Sequence, residues 1–297
     1  MPNAPSDELM ALCRRGEHFQ RFGELDAAEE SLKAAIEIDE SFTLAWNLLG
    51  LVYQDAEKYA EALECFEKAM ELDSEWTEPI ENAGMLLYSE EMYDETIETL
   101  TKYLELGGNE LDTLLALTKA AALADDCQTV LTTTSVILET HEDLYEVWEM
   151  RGMCQAQLNR YNAACTSLNV AIDLNPRAVS SLNAVGNLCY DAQNYARAAE
   201  FFEPSLSVRR KQPDILFKYG TTLWFLDRWT EAILILEKYT ELSPDDPRGW
   251  NNLGVSLREK GDFKRAMECY NRALELNPEL DIVKKNMETA KEMQVLL

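Results

Sequence analysis

The chain holds 297 residues, with 54 Asp/Glu against 27 Lys/Arg and a net charge of −27. That field repels polyanions, so neither nucleic acid nor an anionic membrane is expected as a partner, and no run of 18 apolar residues offers a membrane span. Met1-Pro-Asn-Ala-Pro-Ser-Asp-Glu lacks a basic start and an apolar core, and seven cysteines form no C-x-x-C pair; the expectation is a cytoplasmic protein with free thiols and no leader.

After a polar tail, 1–8, one pattern recurs at a constant step. Glycines mark it at 16, 50, 84, 152, 186, 220 and 254, with Thr118 at the missing step. Counting residue 9 as position 1 gives eight copies without insertion: 9–42, 43–76, 77–110, 111–144, 145–178, 179–212, 213–246 and 247–280. Positions 4, 7, 8 and 11 form one helical stripe, and positions 20, 24 and 27 a second. Between them lie turn residues such as Gly23, Asp125, Asn194, Asp227 and Gly261. Each copy therefore predicts two antiparallel helices, A and B. A single copy cannot bury its own apolar faces, so the copies must stack into a solenoid.

Copy four departs from the pattern, with Thr118 for glycine, Val130 for alanine and a Leu131-Thr-Thr-Thr-Ser stretch. β-Branched residues lower helix propensity, and a softer or bent joint is expected here. Pro204, late in the sixth B segment, should kink or shorten that helix. Residues 281–297 read as a capping helix and tail, with Val283, Met287 and Ala290 facing the last copy and Lys284, Lys285, Glu288 and Lys291 facing water.

Copy two carries Trp46, Leu49, Gly50, Tyr53, Ala62, Phe66 and Ala69; copy eight carries Trp250, Leu253, Gly254, Leu257, Ala266, Tyr270, Ala273 and Pro278. This resembles the tetratricopeptide repeat family, whose W-x2-L-G-x2-Y…A-x3-F…P pattern recurs with the same period. The resemblance implies an all-α, right-handed superhelical solenoid of eight repeats plus a C-terminal capping helix, with A helices lining a concave groove. It also implies that positions 2, 5, 6, 9, 12 and 13 of helix A face that groove. In copies six to eight these positions supply the candidate peptide-binding residues Asn183, Asn187, Tyr190, Lys218, Thr221, Trp224, Arg248, Asn251 and Asn252. Amides bond both donors and acceptors of an extended backbone, Lys218 and Arg248 add positive charge, and Tyr190 and Trp224 add flat apolar area. Some members clamp a C-terminal carboxylate with Lys, Asn, Asn, Lys and Arg. Here only Asn187 is identical and Arg248 conservative, so that clamp is not expected. The first three copies offer a more acidic groove, with Glu17, Gln20, Arg21, Asn47, Gln54, Asp55, Glu81, Asn82 and Tyr88.

Residues 1–148 hold 8 Lys/Arg and 34 Asp/Glu, and residues 149–297 hold 19 and 20. A basic partner is expected at the N-terminal half, although an acidic helical surface also serves solubility. His18 and His141 are far apart in the array, and no phosphate-cradling loop occurs. Cys154 and Cys165 read as core packing. No enzyme activity, cofactor or metal is expected. The function these features predict is a non-catalytic adaptor or scaffold that binds a peptide segment of a protein partner in the groove. The alternative is self-association, with the acidic half of one copy meeting the neutral half of the next.

Overall fold

Two apolar stripes separated by a turn can be buried only by folding one helix back on the other. The computed structural model, which describes residues 7–296, does this eight times. The A helices are α1 (Asp7–Arg21), α3 (Thr43–Asp55), α5 (Thr77–Ser89), α7 (Leu111–Leu123), α9 (Tyr145–Gln157), α11 (Val179–Asp191), α13 (Pro213–Phe225) and α15 (Pro247–Glu259). Their B partners are α2 (Leu25–Ile38), α4 (Tyr59–Leu72), α6 (Tyr93–Glu105), α8 (Cys127–Leu138), α10 (Tyr161–Leu174), α12 (Tyr195–Val208), α14 (Trp229–Leu242) and α16 (Phe263–Leu276). The capping helix α17 covers Asp281–Leu296. No strand occurs among the described residues. The expected tail falls at its residues 1–6 outside the described residues, as does Leu297.

The chain divides into two compact units, residues 1–142 with α1–α8 and residues 143–297 with α9–α17. Within each unit every A helix packs on its own B helix, and each B helix packs on the following A helix. In the second unit α17 continues this stacking against α16, with Val283 and Ala290 fully buried. Lys284, Lys285, Glu288 and Lys291 are exposed, as their spacing predicts.

The A–B turn has one geometry throughout. Position 15 adopts a left-handed conformation in all eight copies, at Gly23, Glu57, Glu91, Asp125, Asn159, Gln193, Asp227 and Gly261, with φ between 57° and 83°. The next residue then donates its backbone N–H to the carbonyl of position 11, as Lys58 does to Tyr53 at 2.9 Å and Arg228 to Leu223 at 3.0 Å. That bond satisfies a carbonyl left open at the end of helix A. The sequence pattern marks the turn but hides this residue in most copies, because six of the eight are not glycine.

The interlock between helices is position 8 against position 24. A Cβ added to Gly84 would lie 2.1 Å from Leu100 Cδ2, and one added to Gly220 would lie 2.6 Å from Leu236 Cγ. Copy four evens out the sizes. Thr118 takes the glycine place, and Thr134 takes the place that holds Leu, Phe or Tyr in every other copy. Both are fully buried, with Thr118 Oγ1 2.7 Å from the Leu114 carbonyl and 2.8 Å from Thr133 Oγ1. Copy four thus replaces the small-against-large contact with two buried threonines, and Thr118 is held by a hydrogen bond to Thr133. α8 is nevertheless the shortest helix, at 12 residues, and the division between the two units falls just after it.

Of the two effects expected of Pro204, a kink or a shorter helix, the shortening does not occur. α12 runs 14 residues, as α10 and α14 do. Phe202, Ser205 and Leu206 are buried on either side of it, so packing outweighs the lost backbone bond.

The seven cysteines are all free thiols. Burial pushes the Cys13 thiol up to about 11 and those of Cys65 and Cys269 up to about 12, which makes them poor nucleophiles. No group of His, Cys, Asp and Glu among the described residues could hold a metal ion. None of the described helices is long and apolar enough to cross a membrane.

Candidate functional site

Adjacent A helices are tied by side chains separated by one repeat length, give or take a few residues. In the first unit Gln20 donates to Asp55 at 2.7 Å, Asn47 to Glu78 at 3.1 Å, Asn82 to Asn47 at 3.0 Å and Thr113 to Glu81 at 2.5 Å. In the second unit Ser181 donates to Glu149 at 2.5 Å, Lys218 to Asn187 at 2.8 Å, Asn252 to Thr221 at 3.0 Å and Asn286 to Asn251 at 2.9 Å. The groove-facing polar residues thus use part of their hydrogen-bonding capacity on one another. This corrects one expectation for the acidic groove: Asn47 is fully buried between Glu78 and Asn82 and is not open to a ligand.

In the second unit the A helices leave two cavities. One, of about 370 Å³, is lined by Asn187 and Tyr190 of α11, by Asp214, Ile215, Phe217 and Lys218 of α13, by Tyr239 of α14 and by Arg248 of α15. The other, of about 330 Å³, includes Thr221 and Trp224 of α13, Asn251, Asn252, Val255 and Arg258 of α15, and Ile282 and Asn286 of α17. Lys218 opens on the first, and Thr221 and Trp224 of the same helix open on the second. Eight of the nine candidate residues therefore line these two cavities.

Asn183 is the exception. Its amide donates to Gln212 Oε1 at 2.8 Å and accepts from Ser205 Oγ at 2.5 Å. It joins α11, α12 and the start of α13, so its capacity is used inside the fold.

The two cations are held differently. Lys218 Nζ bonds Asn187 and lies 5.6 Å from the Tyr190 ring centre. Arg248 forms a salt bridge with Asp246 at 2.8 Å and stands 5.3 Å over the Phe217 ring. The Asp246 carboxylate beside Arg248 raises the guanidinium pKa further. Burial pushes Asp246 up, but the bonds from Arg248 and Tyr239 outweigh it and hold its carboxyl below the usual range. Tyr239 is pushed up to about 12 by burial and by that same carboxylate. Arg248 remains well exposed at its outer end, so it meets solvent while anchored at its base.

Besides capping the last repeat, α17 contributes Ile282 and Asn286 to the second cavity, which the pattern of a capping helix does not reveal. The available signal was the period: Asn286 lies one full repeat after Asn252 and occupies position 6 of an incomplete ninth copy.

These features define a class first: a tandem array of helical hairpins with a polar, cavity-bearing face on its A helices. Tetratricopeptide repeat patterns match residues 11–42, 43–75, 149–213 and 247–280, together more than half of the chain. The chain belongs to the tetratricopeptide repeat family.

Among curated proteins it is similar to the general transcriptional corepressor trfA of Dictyostelium discoideum, with 22% identity over 138 residues, covering 46% of this chain and 10% of that protein. It is also similar to the Hsp70-Hsp90 organizing protein of Triticum aestivum, with 27% identity over 108 residues, covering 36% of this chain and 19% of that protein. The chain thus spans a fifth or less of the length of these two relatives. A crystal structure of MamA protein matches 56% of this chain and 91% of that chain, at 16% identity and a TM-score of 0.49.

Proposed function

We propose that this protein is a non-catalytic adaptor that holds an extended segment of a partner protein along the A-helix face of residues 143–297. The observation that carries this reading is the gathering of eight chosen residues around two cavities that open on one helix, α13. Amides at Asn187, Asn251 and Asn252 offer donors and acceptors to a peptide backbone. Lys218 and Arg248 favour an acidic side chain or carboxylate at the first cavity, and Trp224 and Val255 favour an apolar one at the second. A relative is named for organizing Hsp70 and Hsp90, which accords with an adaptor role. The working division is eight repeats over 9–280 with 281–297 as the cap, and the working location is the cytoplasm.

The test is selection of peptides from a random library on the full chain, beside the variant Asn187→Ala/Lys218→Glu/Arg248→Glu. The expected outcome is enrichment of acidic peptides on the wild type and their loss on the variant. The same peptides captured equally by both proteins would overturn the groove assignment.

A second reading rests on charge. The first unit carries 8 Lys/Arg and 32 Asp/Glu, and the second carries 19 and 22. That contrast favours either a basic partner at the first unit or head-to-tail contact between copies. For self-contact, mass measured by light scattering would rise with protein concentration and fall with salt. A constant monomer mass would leave the basic partner.

A further inference from the structure

Beside the groove, at the A–B turn of copy seven, lies a smaller pocket with a different chemistry. About 240 Å³ in volume, it is lined by Trp224, Phe225, Asp227, Trp229 and Glu259. Three aromatic rings and two carboxylates thus converge from the end of α13, the turn, the start of α14 and the end of α15.

Two of the three aromatic walls are held by neighbouring rings. Trp224 and Phe225 stand at 70° to one another with ring centres 4.9 Å apart, so they make a corner. Tyr195 stacks on the outer side of that corner, 4.1 Å from Phe225 and at 4° to its plane. Tyr190 in turn meets Tyr195 edge-on at 5.7 Å. Phe225 is nonetheless 47% exposed. A large ring held rigidly yet left open is ready for a ligand, with little ordering to be done on binding.

The charges select its sign. Asp227 is exposed at the left-handed turn position. Its neighbour Arg228 is occupied, donating two bonds to Glu231 at 2.8 and 2.6 Å. Glu259 accepts from Arg258 at 2.5 Å, and that pair is mostly buried. Arg258 and Glu259 cancel, so Asp227 leaves the pocket with a net negative charge. The faces of aromatic rings are themselves negative and attract organic cations, tryptophan most strongly. We infer that this pocket is a cation cage that takes the charged end of a lysine or arginine side chain.

The cage shares Trp224 with the proposed peptide groove, but it rests on its own geometry and holds whether or not the groove takes a peptide. If both are correct, one partner segment carries an acidic group near Lys218 and a basic group near Trp229.

Small probes test the cage without any peptide. The full chain is titrated with N-acetyl-arginine amide and N-acetyl-lysine amide while the indole N–H signals of Trp224 and Trp229 are followed by NMR. N-acetyl-citrulline amide and N-acetyl-norleucine amide serve as neutral comparators of similar shape. The expected result is a saturable shift of both indoles by a cationic probe, with the neutral comparators roughly tenfold weaker. Asp227→Asn keeps the turn, because asparagine tolerates the left-handed conformation, and it should weaken the cationic probes alone. Equal shifts by neutral and cationic probes, or a response unchanged in Asp227→Asn, would overturn the cage. Choline provides the last arm: binding of choline without either amino-acid amide would overturn a side chain as the occupant.

Discussion

The two units use one scaffold for two surfaces. Each packs A helices on B helices through the same small-against-large interlock, turns at the same left-handed residue and ties neighbouring A helices by the same polar ladder. In the first unit that ladder runs through carboxylates, and an amide at its centre, Asn47, is sealed from solvent. In the second a carboxylate appears only at its start, where Glu149 accepts from Ser181; beyond it the ladder runs through amides, a lysine and a threonine, and cavities open beside it. Core positions fix how repeats stack, while groove positions are free to vary. A repeat array can therefore change its chemistry along its length without changing its fold.

The strongest way to break that comparison is to attack the shared interlock. Gly84→Ala in the first unit and Gly220→Ala in the second should each cost about 1–3 kcal/mol by overpacking. Chemical denaturation checks this, and a neutral result at either site would mean that the units are not held alike. Copy four sharpens the point. Thr134→Leu alone should destabilise by a similar amount, and adding Thr118→Gly should recover most of it. Additive losses in that double-mutant cycle would remove the size exchange as an explanation.

Tyr270 offers a smaller effect with a pH signature. It fills position 24 of copy eight, where Phe66 and Phe202 stand in copies two and six. It is fully buried, its hydroxyl has no hydrogen-bond partner, and burial pushes it up to about 12. Its folded value is raised above the ordinary value near 10, so its contribution is fully present below pH 10 and is lost as pH rises through 12. Tyr270→Phe should stabilise the second unit by about 1 kcal/mol at pH 7. It should also reduce the loss of stability between pH 10 and 12, as read by thermal melts at each pH.

The turn should respond in opposite directions in the two units. Glu57 holds its left-handed backbone at a steric cost, so Glu57→Gly in the first unit should stabilise by about 0.5–1 kcal/mol. Gly261→Ala in the second should destabilise by a similar amount. Equal effects of one sign would refute the common turn geometry.

The smallest expected effect is electrostatic. The first unit's charge of −24 against −3 for the second predicts that added salt raises protection more in the first, by a few tenths of a kcal/mol. Hydrogen exchange resolved by unit measures this and also reports on copy four. Protection of 111–144 equal to its neighbours would exclude a soft joint there.

Much of this protein was determined by its sequence alone. A strict repeat period is a statement about helix geometry, because only residues on one face of a helix need to be apolar and only close helix contacts need to be small. The helices, their pairing and the cap followed from that, as did a groove list of which eight residues meet at cavities. The tertiary structure decided what depends on partners distant in sequence. It tied Asn183 to Gln212 and Ser205, sealed Asn47 between Glu78 and Asn82, bonded Thr118 to Thr133, and kept α12 at full length through Pro204. It also made the capping helix α17 line the second cavity and stood Phe225 between Tyr195 and Trp224. A periodic pattern records which face each residue lies on, but whether a polar group there meets solvent or a neighbour depends on side chains a whole repeat away.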